Sequence, residues 1–355
     1  MTVLPPAAPT PAPTPAPAAD GELGVFDVID LMTGYQGAAT LTAAARLGVF
    51  DLLVQGPRLT EEVSTLLELD PLATRALLDS LVGLHLLQVD DDLYFVTPVA
   101  ARLTHGGDLR LVAEKEAFFA RAWLDLEESV RSGTPRLDPW ASRLVSDPAQ
   151  AREFLRALLV LADETGPDLA RLVSPGMRVA DLGGGLGAYA VRLAAAGASV
   201  TVADLPLVAQ WCAEEVPDRV AALGLGAEVA GLVTVRPVDL LAVEAASTLG
   251  AGYDVVLLSH LLHDLTDEDC HRVLSLAATI VAPGGRVVVF ELPGDPPGAF
   301  GPMFDLMMEV ETPGRARRLS ELVGLMTDAG LTDVAVDPAY SLPHGVVVGR
   351  PGDTV

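Results

Sequence analysis

The stretch Val179-Ala180-Asp181-Leu182-Gly183-Gly184-Gly185-Leu186-Gly187-Ala188-Tyr189-Ala190 predicts a short buried strand, a glycine turn and the first turn of a helix. Gly183, Gly185 and Gly187 lack the Cβ atoms that would keep a ligand away from the backbone, and they tolerate positive φ where the chain turns sharply. Backbone N–H groups at a helix start bind anionic and polar ligand groups. The turn therefore predicts a site for a nucleotide-like cofactor, and the glycines alone also fit a dinucleotide.

Alternating strand and helix patterns continue from Met177 onward. Apolar segments typical of strands occur at 178–181, 199–203, 233–238, 254–259, 286–291, 332–337 and 346–349. Helical patterns separate most of them, at 189–196, 209–215, 267–282 and 319–329. This alternation predicts an α/β fold with a doubly wound, mostly parallel sheet, in which ligands bind at the carboxyl ends of the strands.

The preceding part of the chain predicts a mostly helical domain with a winged-helix outline. Residues 24–54 carry a broad apolar face, helices are expected to begin near Thr60 and Pro71, and 86–96 predicts a hairpin that turns on three aspartates. The second helix carries Arg75 among Glu68 and two aspartates, which is unlike a DNA-recognition helix. A dimerisation or substrate-lid module is the favoured interpretation.

Composition indicates a globular protein with a disordered start. The 355 residues are 50% hydrophobic, yet no apolar run approaches the roughly 20 residues that cross a bilayer. Residues 1–20 predict a disordered Ala/Pro-rich tail without the features of a signal peptide, so we expect a cytoplasmic protein. The net charge of −25 disfavours nucleic acid as a partner. The expected domains are 21–106 for dimerisation, 107–172 as a helical connector at the substrate pocket, and 173–355 for the cofactor.

Carboxylates follow the first three strands of the predicted sheet. Asp181 precedes the glycine turn, and Asp204 ends the second strand, where a carboxylate can bind ribose hydroxyls. Asp239 ends the third strand, where it can accept a hydrogen bond from an adenine amino group while Leu240 packs on the ring. Together these positions favour a nucleoside ligand.

The chain resembles the small-molecule O-methyltransferases that use S-adenosylmethionine, of the plant caffeate and hydroxyindole type and the actinobacterial natural-product type. The resemblance rests on 181–187, Asp204-Leu205-Pro206, Asp239-Leu240, the block 259–270 with His263-Asp264, and Pro283-Gly284-Gly285. It implies a Rossmann-like, seven-stranded class I methyltransferase domain whose last strand is antiparallel, and an N-terminal winged-helix domain that forms a homodimer. It also implies S-adenosyl-L-homocysteine as product, a small aromatic acceptor, and cofactor contacts at Gly183, Gly185, Gly187, Leu205 and Ser259.

His263 is the candidate general base, because methyl transfer to a hydroxyl requires removal of a proton and a neutral imidazole suits that task. By resemblance, Glu291 is one of two carboxylates that support the histidine, and Asp264 positions the acceptor. The second carboxylate is missing from Pro313-Gly314-Arg315-Ala316-Arg317-Arg318. The three arginines there are either exposed or hold an acidic substrate.

The resemblance places Asp305, Met308 and Thr312 in the acceptor pocket. No metal is expected, although His263, Asp264 and Glu311 offer an alternative set of metal ligands. Three other functions stay open: methylation of carbon or nitrogen in an amino-acid-derived aromatic or keto acid, use of the sulfonium only as a charge, and a non-catalytic, acidic dimeric ligand-binding or regulatory protein.

Overall fold

The computed structural model describes residues 23–295 and 298–352, and the tail predicted at 1–20 lies outside the described residues. The chain divides into two compact units between Thr97 and Pro98. No helix in the described part of the chain is long and apolar enough to cross a membrane.

The N-terminal unit consists of helices followed by a hairpin, as the sequence predicts. Its elements are Val25–Thr33 (α1), Tyr35–Arg46 (α2), Val49–Leu53 (α3), Thr60–Leu66 (α4), Pro71–Gly83 (α5), Leu87–Asp90 (β1) and Leu93–Val96 (β2). Asp70 caps α5 by accepting a hydrogen bond from the N–H of Ala73 at 2.8 Å. The hairpin turns at Asp91 and Asp92, both with positive φ, which aspartate tolerates better than most residues.

Helix α1 exposes apolar side chains along its length. Phe26 is 82% exposed and Leu31 is 71% exposed, and Val25 and Met32 are similarly open to solvent. An exposed apolar face of this kind marks an interaction surface.

The larger unit begins with four helices: Asp108–Trp123 (α6), Leu126–Ser132 (α7), Trp140–Ser146 (α8) and Pro148–Thr165 (α9). Edge-to-face contacts between aromatic rings join α6 to α9, with 5.7 Å between the ring centroids of Phe119 and Phe154. These helices belong to the same compact unit as the sheet.

The sheet has seven strands in the order β5-β4-β3-β6-β7-β9-β8. Their bounds are Arg178–Leu182 (β3), Ser199–Asp204 (β4), Val233–Pro237 (β5), Tyr253–Ser259 (β6), Val281–Glu291 (β7), Leu331–Val336 (β8) and Gly345–Pro351 (β9). Strands β3 to β7 pair in parallel, whereas β9 is antiparallel to both of its neighbours. The Rossmann-like fold with an antiparallel last strand is thereby confirmed.

Helices cover both faces of the sheet: Ala190–Ala195 (α10), Pro206–Ala222 (α11), Ala245–Leu249 (α12), Asp267–Ile280 (α13), Phe300–Glu311 (α14) and Leu319–Asp328 (α15). Short 3₁₀ turns lie at Ala100–Leu103, Ala170–Leu172, Ala227–Leu232 and Leu262–Asp264. Alternate residues of β6 enter two different cores: Val256 and Leu258 join one, Val255 and Leu257 the other. This two-residue period explains why the central strands are apolar throughout.

Parallel pairing brings the carboxyl ends of four strands to one edge of the sheet. Asp181, Asp204, Ser259 and Glu291 lie at or near the ends of β3, β4, β6 and β7. The chain order therefore converts scattered sequence positions into one site.

Candidate active site

The turn after β3 has a backbone conformation and close contacts that only glycine accommodates. Gly183, Gly185 and Gly187 have φ of +69°, +56° and +80°, which L-residues with side chains rarely adopt. A Cβ atom on Gly184 would lie 2.6 Å from Oδ2 of Asp181. The turn thus requires glycine for its geometry and for the approach of its backbone to Asp181.

Asp181 is a buried carboxylate whose two oxygens have no hydrogen-bond partner among the described residues. Burial, and then repulsion from Asp204, raises the pKa of Asp181 to about 7. A ligand that carries hydrogen-bond donors and positive charge would satisfy this group, and the ammonium and sulfonium of S-adenosylmethionine meet that description. The residues of the turn therefore fit this cofactor.

Asp204 connects the second strand to the same turn. Its Oδ2 accepts a hydrogen bond from the N–H of Gly185 at 2.8 Å, and its Oδ1 accepts one from Leu205 at 2.7 Å. Burial raises the pKa of Asp204 to about 6, although these two N–H groups oppose the rise. Each oxygen keeps a lone pair for ribose hydroxyls.

The other predicted cofactor residues lie along the same edge. Asp239 is exposed after β5 and caps a turn by accepting from the N–H of Leu241 at 2.9 Å. Leu240 packs against one core of the sheet, and Ser259 is buried at the end of β6. Asp239 is exposed and accessible to a ligand, whereas part of the Leu240 side chain is buried against the core of the sheet.

His263 and Glu291 form a close pair at this edge. Nδ1 of His263 lies 2.6 Å from Oε2 of Glu291, and Oε1 accepts hydrogen bonds from the N–H groups of Leu261 at 3.1 Å and Leu262 at 2.7 Å. Because a carboxylate can only accept, Nδ1 donates and Nε2 is left for a reacting group. Oδ2 of Asp264 lies 3.8 Å from Nε2.

The electrostatics of the pair favour imidazolium and carboxylate. Burial alone would lower the pKa of His263, but the carboxylates of Glu291, Asp264 and Glu311 outweigh it and raise that pKa to about 9. Burial would raise the pKa of Glu291, yet His263 keeps it below its usual value. The neutral imidazole required of a base is thus the minor form at pH 7.

The turn that carries His263 is fixed by backbone contacts from the segment after α14. Arg317, which is 3% exposed, donates to the carbonyls of Leu262 at 2.6 Å and Leu265 at 2.9 Å, and also pairs with Asp267. A Cβ atom on Gly314 would lie 2.0 Å from the carbonyl oxygen of His263. The interpretation of three exposed or substrate-binding arginines is therefore wrong for Arg317, which holds the histidine turn.

The residues predicted for the acceptor pocket make protein contacts of their own. Thr312 Oγ1 donates to the carbonyl of Asp264 at 3.0 Å, and Asp305 Oδ1 accepts from the N–H of Ala316 at 3.0 Å. Met308 is 2% exposed and packs with Phe304 and Ala316. Asp305, Met308 and Thr312 therefore contact neighbouring protein residues in the folded chain. Helix α14, which carries Asp305 and Met308, ends beside Asp264.

The alternative metal ligands are not gathered into one set. Among the described residues, the side chains close enough to hold a metal ion together are His260, His263 and Glu291. His260 packs its ring 4.4 Å from that of Phe290, and burial lowers its pKa to about 4. Glu311 stands outside this group.

Three charged side chains near the site were not predicted from sequence as a group. Glu311 has a buried Oε1 without a partner in the described part of the chain, and burial raises its pKa to about 8 despite the nearby charge of Lys115. Arg143 on α8 lies among aromatic rings with Nε and Nη2 buried. No local motif marks these positions, because three separate helices bring them together.

Comparison with known proteins agrees with this geometry. Residues 168–332 match the O-methyltransferase domain, and residues 29–106 match the O-methyltransferase dimerisation domain. The 3-hydroxy-5-methyl-1-naphthoate 3-O-methyltransferase of Streptomyces sahachiroi is 31% identical, with 90% of this chain and 93% of that protein covered. The N,N-dimethyltransferase OxyT of Streptomyces rimosus is 30% identical over 76% of this chain and 78% of its own length.

A solved structure shows the same fold across nearly the whole chain. Human N-acetylserotonin methyltransferase, in complex with S-adenosylmethionine, superposes with a TM-score of 0.77 at 23% identity and covers 94% of this chain and 100% of its own. The two family matches and the similarity to the naphthoate methyltransferase agree with the geometry of the glycine turn. The chain belongs to the O-methyltransferase family and is an S-adenosylmethionine-dependent methyltransferase with a dimerisation domain.

Proposed function

We propose that this enzyme transfers the methyl group of S-adenosylmethionine to a hydroxyl of a small aromatic acceptor, with His263 as general base. The observation that carries the proposal is the 2.6 Å contact between His263 Nδ1 and Glu291 Oε2 at the same strand edge as the glycine turn. That contact orients Nε2 away from Glu291 and toward an incoming hydroxyl.

The cofactor supplies an electrophilic methyl group on a sulfonium. Asp181, Gly183, Gly185, Gly187, Asp204, Leu205, Asp239, Leu240 and Ser259 are proposed to hold it. The protein's own work is to hold the acceptor oxygen in line, exclude water and take its proton. His263 accepts that proton at Nε2, and Glu291 stabilises the resulting imidazolium. Asp264 is proposed to position the acceptor.

The domain roles extend the same proposal. Residues 21–106 would form the homodimer contact, 107–172 would contribute to the acceptor pocket, and 173–355 would carry the cofactor. Asp305, Met308 and Thr312 support the wall of that pocket through the contacts described above.

The proposal is tested by turnover with hydroxyarene acceptors, measured as S-adenosylhomocysteine release and methyl ether formation by mass spectrometry. His263→Ala is expected to lower kcat by roughly 10²-fold or more without weakening cofactor binding. His271→Ala is the matched control, since His271 is an exposed histidine on α13. Equal kcat in wild type and His263→Ala would remove the base from the mechanism.

Methylation of nitrogen is the second candidate, and the relative named as an N,N-dimethyltransferase favours it. A protonated amine must lose a proton before it attacks, so the same pair can serve both acceptors. Matched phenol and arylamine acceptors separate the two: methyl ether from the phenol supports the first proposal, and turnover confined to the amine supports the second.

A further inference from the structure

Several arginines in this protein bind carboxylates through the Nε and Nη2 edge of the guanidinium. Nε and Nη2 of Arg102 lie 2.9 and 2.6 Å from the two oxygens of Asp108. The same two nitrogens of Arg152 lie 3.0 and 2.7 Å from one oxygen of Glu215. Such side-on pairs match the planar fork of the guanidinium to a carboxylate.

Arg143 presents this edge without a carboxylate. Its Nε and Nη2 are buried, and neither has a hydrogen-bond partner within residues 23–295 and 298–352. Burial lowers the pKa of Arg143, which expresses the cost of holding the charge away from water. Two buried, unpaired donors on a half-buried cation are costly unless a ligand satisfies them.

Aromatic rings fix the position of this guanidinium. Its Cζ lies 5.3 Å from the ring centroids of Trp140 and Phe154 and 5.4 Å from that of Phe118. Contacts with three ring faces hold the cation while leaving its N–H groups unused, because π systems offer no lone pairs of comparable strength. Arg143 therefore keeps an unpaired side-on edge that a planar anion can satisfy.

Contacts at the end of α14 join the loop before Arg143 to the histidine turn. The N–H of Arg136 donates to the carbonyl of Val310 at 2.8 Å, and Thr312 Oγ1 donates to the carbonyl of Asp264 at 3.0 Å. Asp264 and Glu311 are also charges that act on both Arg143 and His263. Glu311 does not satisfy this edge of Arg143, because Oε1 of Glu311 and both Nε and Nη2 of Arg143 lack a hydrogen-bond partner in the described part of the chain. Arg143 also lines a cleft of about 500 Å³, whose charged lining comprises Arg121, Arg136, Asp138 and Asp147 besides Arg143 itself.

We propose that the acceptor carries a carboxylate besides the group that is methylated, and that Arg143 binds this carboxylate side-on through Nε and Nη2. The inference rests on the proposed function and narrows its acceptor to aromatic acids. Arg317 does not compete for this role, since its own Nε and Nη2 already hold Asp267. The rings of Trp140, Phe154 and Phe118 provide the apolar wall that such an acid requires.

The test measures binding, so it does not depend on turnover. Calorimetry on the full chain saturated with S-adenosylhomocysteine would use monohydroxynaphthoic acids, their methyl esters and the parent naphthols as probes. The wild type should bind at least one acid about tenfold or more tightly than its ester. Arg143→Met should abolish this advantage, and Arg143→Lys should keep part of it through charge alone.

Arg131→Met is the matched control. It removes the same charge from an exposed position on α7, and it should retain the full preference for the acid. Equal affinity for acid and ester across the wild-type series, or a preference that persists in Arg143→Met, would overturn the inference. If Arg143→Met does not fold, the wild-type ratio and Arg143→Lys decide the question.

Failure of the proposed function gives a different pattern. Absence of S-adenosylhomocysteine binding, or absence of methyl transfer to every hydroxyarene, would reject that function whatever the ratio of acid to ester affinity. Methylation of naphthols and esters with no preference for acids would reject the Arg143 inference alone.

Discussion

At the scale of single residues, the proposed role of His263 as general base predicts that activity depends on pH, because His263 forms an ion pair with Glu291. A pKa of about 9 for His263 means that the enzyme rests with the imidazole protonated and must lose that proton before the histidine can act as a base. Glu291 aligns the imidazole ring of His263, which would help a base, but it also raises the pKa of His263, which disfavours the neutral form. The missing second family carboxylate therefore does not leave His263 without a partner.

The pH profile follows from this direction of shift. The kcat/KM of the wild type should rise about tenfold per pH unit below the pKa of His263 and level off above about 9. Glu291→Gln removes the largest charge that raises this pKa, so the rising limb should move to lower pH while the plateau falls from loss of alignment. Stopped assays across pH test both shifts. An identical limb in the two proteins would contradict the assignment of His263 as the titrating base.

Asp181 should make cofactor binding sensitive to pH. Its pKa of about 7 leaves it increasingly neutral below that value, so a cationic ligand loses its counter-charge as the pH falls. We expect S-adenosylmethionine affinity to drop between about pH 8 and pH 6, measured by calorimetry in buffers of matched ionic strength. Asp181→Asn should bind weakly at every pH and lose this dependence; a pH-dependence that survives the substitution would point to another group.

The charge of Asp181 is expected to favour cofactor binding but to destabilise the ligand-free fold. In the ligand-free protein, the folded-state pKa of Asp181 is raised above the ordinary value of 3.8 for an aspartate, so the stability associated with its proton is lost as the pH rises through about 7. Asp181→Asn keeps a neutral group at all pH values and should raise Tm at pH 8 more than at pH 5. Differential scanning fluorimetry without ligand would show this, and a uniform fall in Tm would contradict it.

At the scale of elements, the segment from α14 to α15 acts as a brace for the histidine turn. Gly314 approaches the backbone of His263 too closely for any side chain, and Arg317 satisfies two carbonyls of the turn. Family resemblance pointed to a glutamate in this segment as the partner of the histidine. The structure instead shows that the segment contributes through backbone contacts and one buried cation.

Removal of that cation should disturb both stability and activity. Arg317→Met leaves two carbonyls without their donor, with a cost on the order of 2 kcal/mol, and frees the turn that carries His263. We expect lower Tm and lower kcat, measured together. Arg318→Met is the control because Arg318 is exposed and next in sequence. Equal losses in the two variants would contradict a specific bracing role for Arg317.

The ends of elements show where sequence patterns suffice and where they do not. Most strands fall within a residue or two of their predicted bounds, since short apolar runs bounded by glycine or polar residues mark them. Helix α11 was predicted at 209–215 but spans Pro206–Ala222, with Pro217 tolerated inside it. Strand β7 begins five residues before the predicted 286, across a glycine with φ of +80° that local patterns read as a turn.

The candidate site divides in the same way. The contact of His263 with Glu291 follows from two strand ends that any parallel sheet brings together. The surroundings of Arg143 depend on the packing of α8 against α6 and α9, which involves no short-range pattern. The sequence does not tell whether the side chains of Asp305 and Thr312 contact a ligand or support the backbone. Either role uses the same polar atoms of these side chains.

At the scale of the whole molecule, the exposed apolar residues Ile29, Leu31 and Met32 of α1 belong to the part of the chain that matches the dimerisation domain, and the first turn of α1 directly precedes that part. Sequence patterns predicted this broad apolar face and its need for a partner. They place the end of this domain at residue 106, nine residues after Thr97, where the chain divides directly after strand β2.

The oligomeric state tests this surface. Light scattering with size-exclusion chromatography should give the mass of a dimer for the wild type, and Leu31→Asp should shift it toward the monomer by placing charge in the apolar contact. Val243→Asp is the control, since Val243 is 99% exposed in the larger unit. A wild-type monomer, or a dimer unaffected by Leu31→Asp, would contradict the role assigned to α1.

The order of strands carries a consequence for how the enzyme is made. Strand β9 lies between β7 and β8, and its Gly345 pairs with Glu291. During synthesis on the ribosome, β9 follows β7 by more than fifty residues, so β7 has no second neighbouring strand until β9 has been made. The strand that ends in Glu291 can pair with β9 only after Gly345 has been synthesised. The sheet edge that carries the proposed partner of His263 is thus completed only once both β8 and β9 have been made.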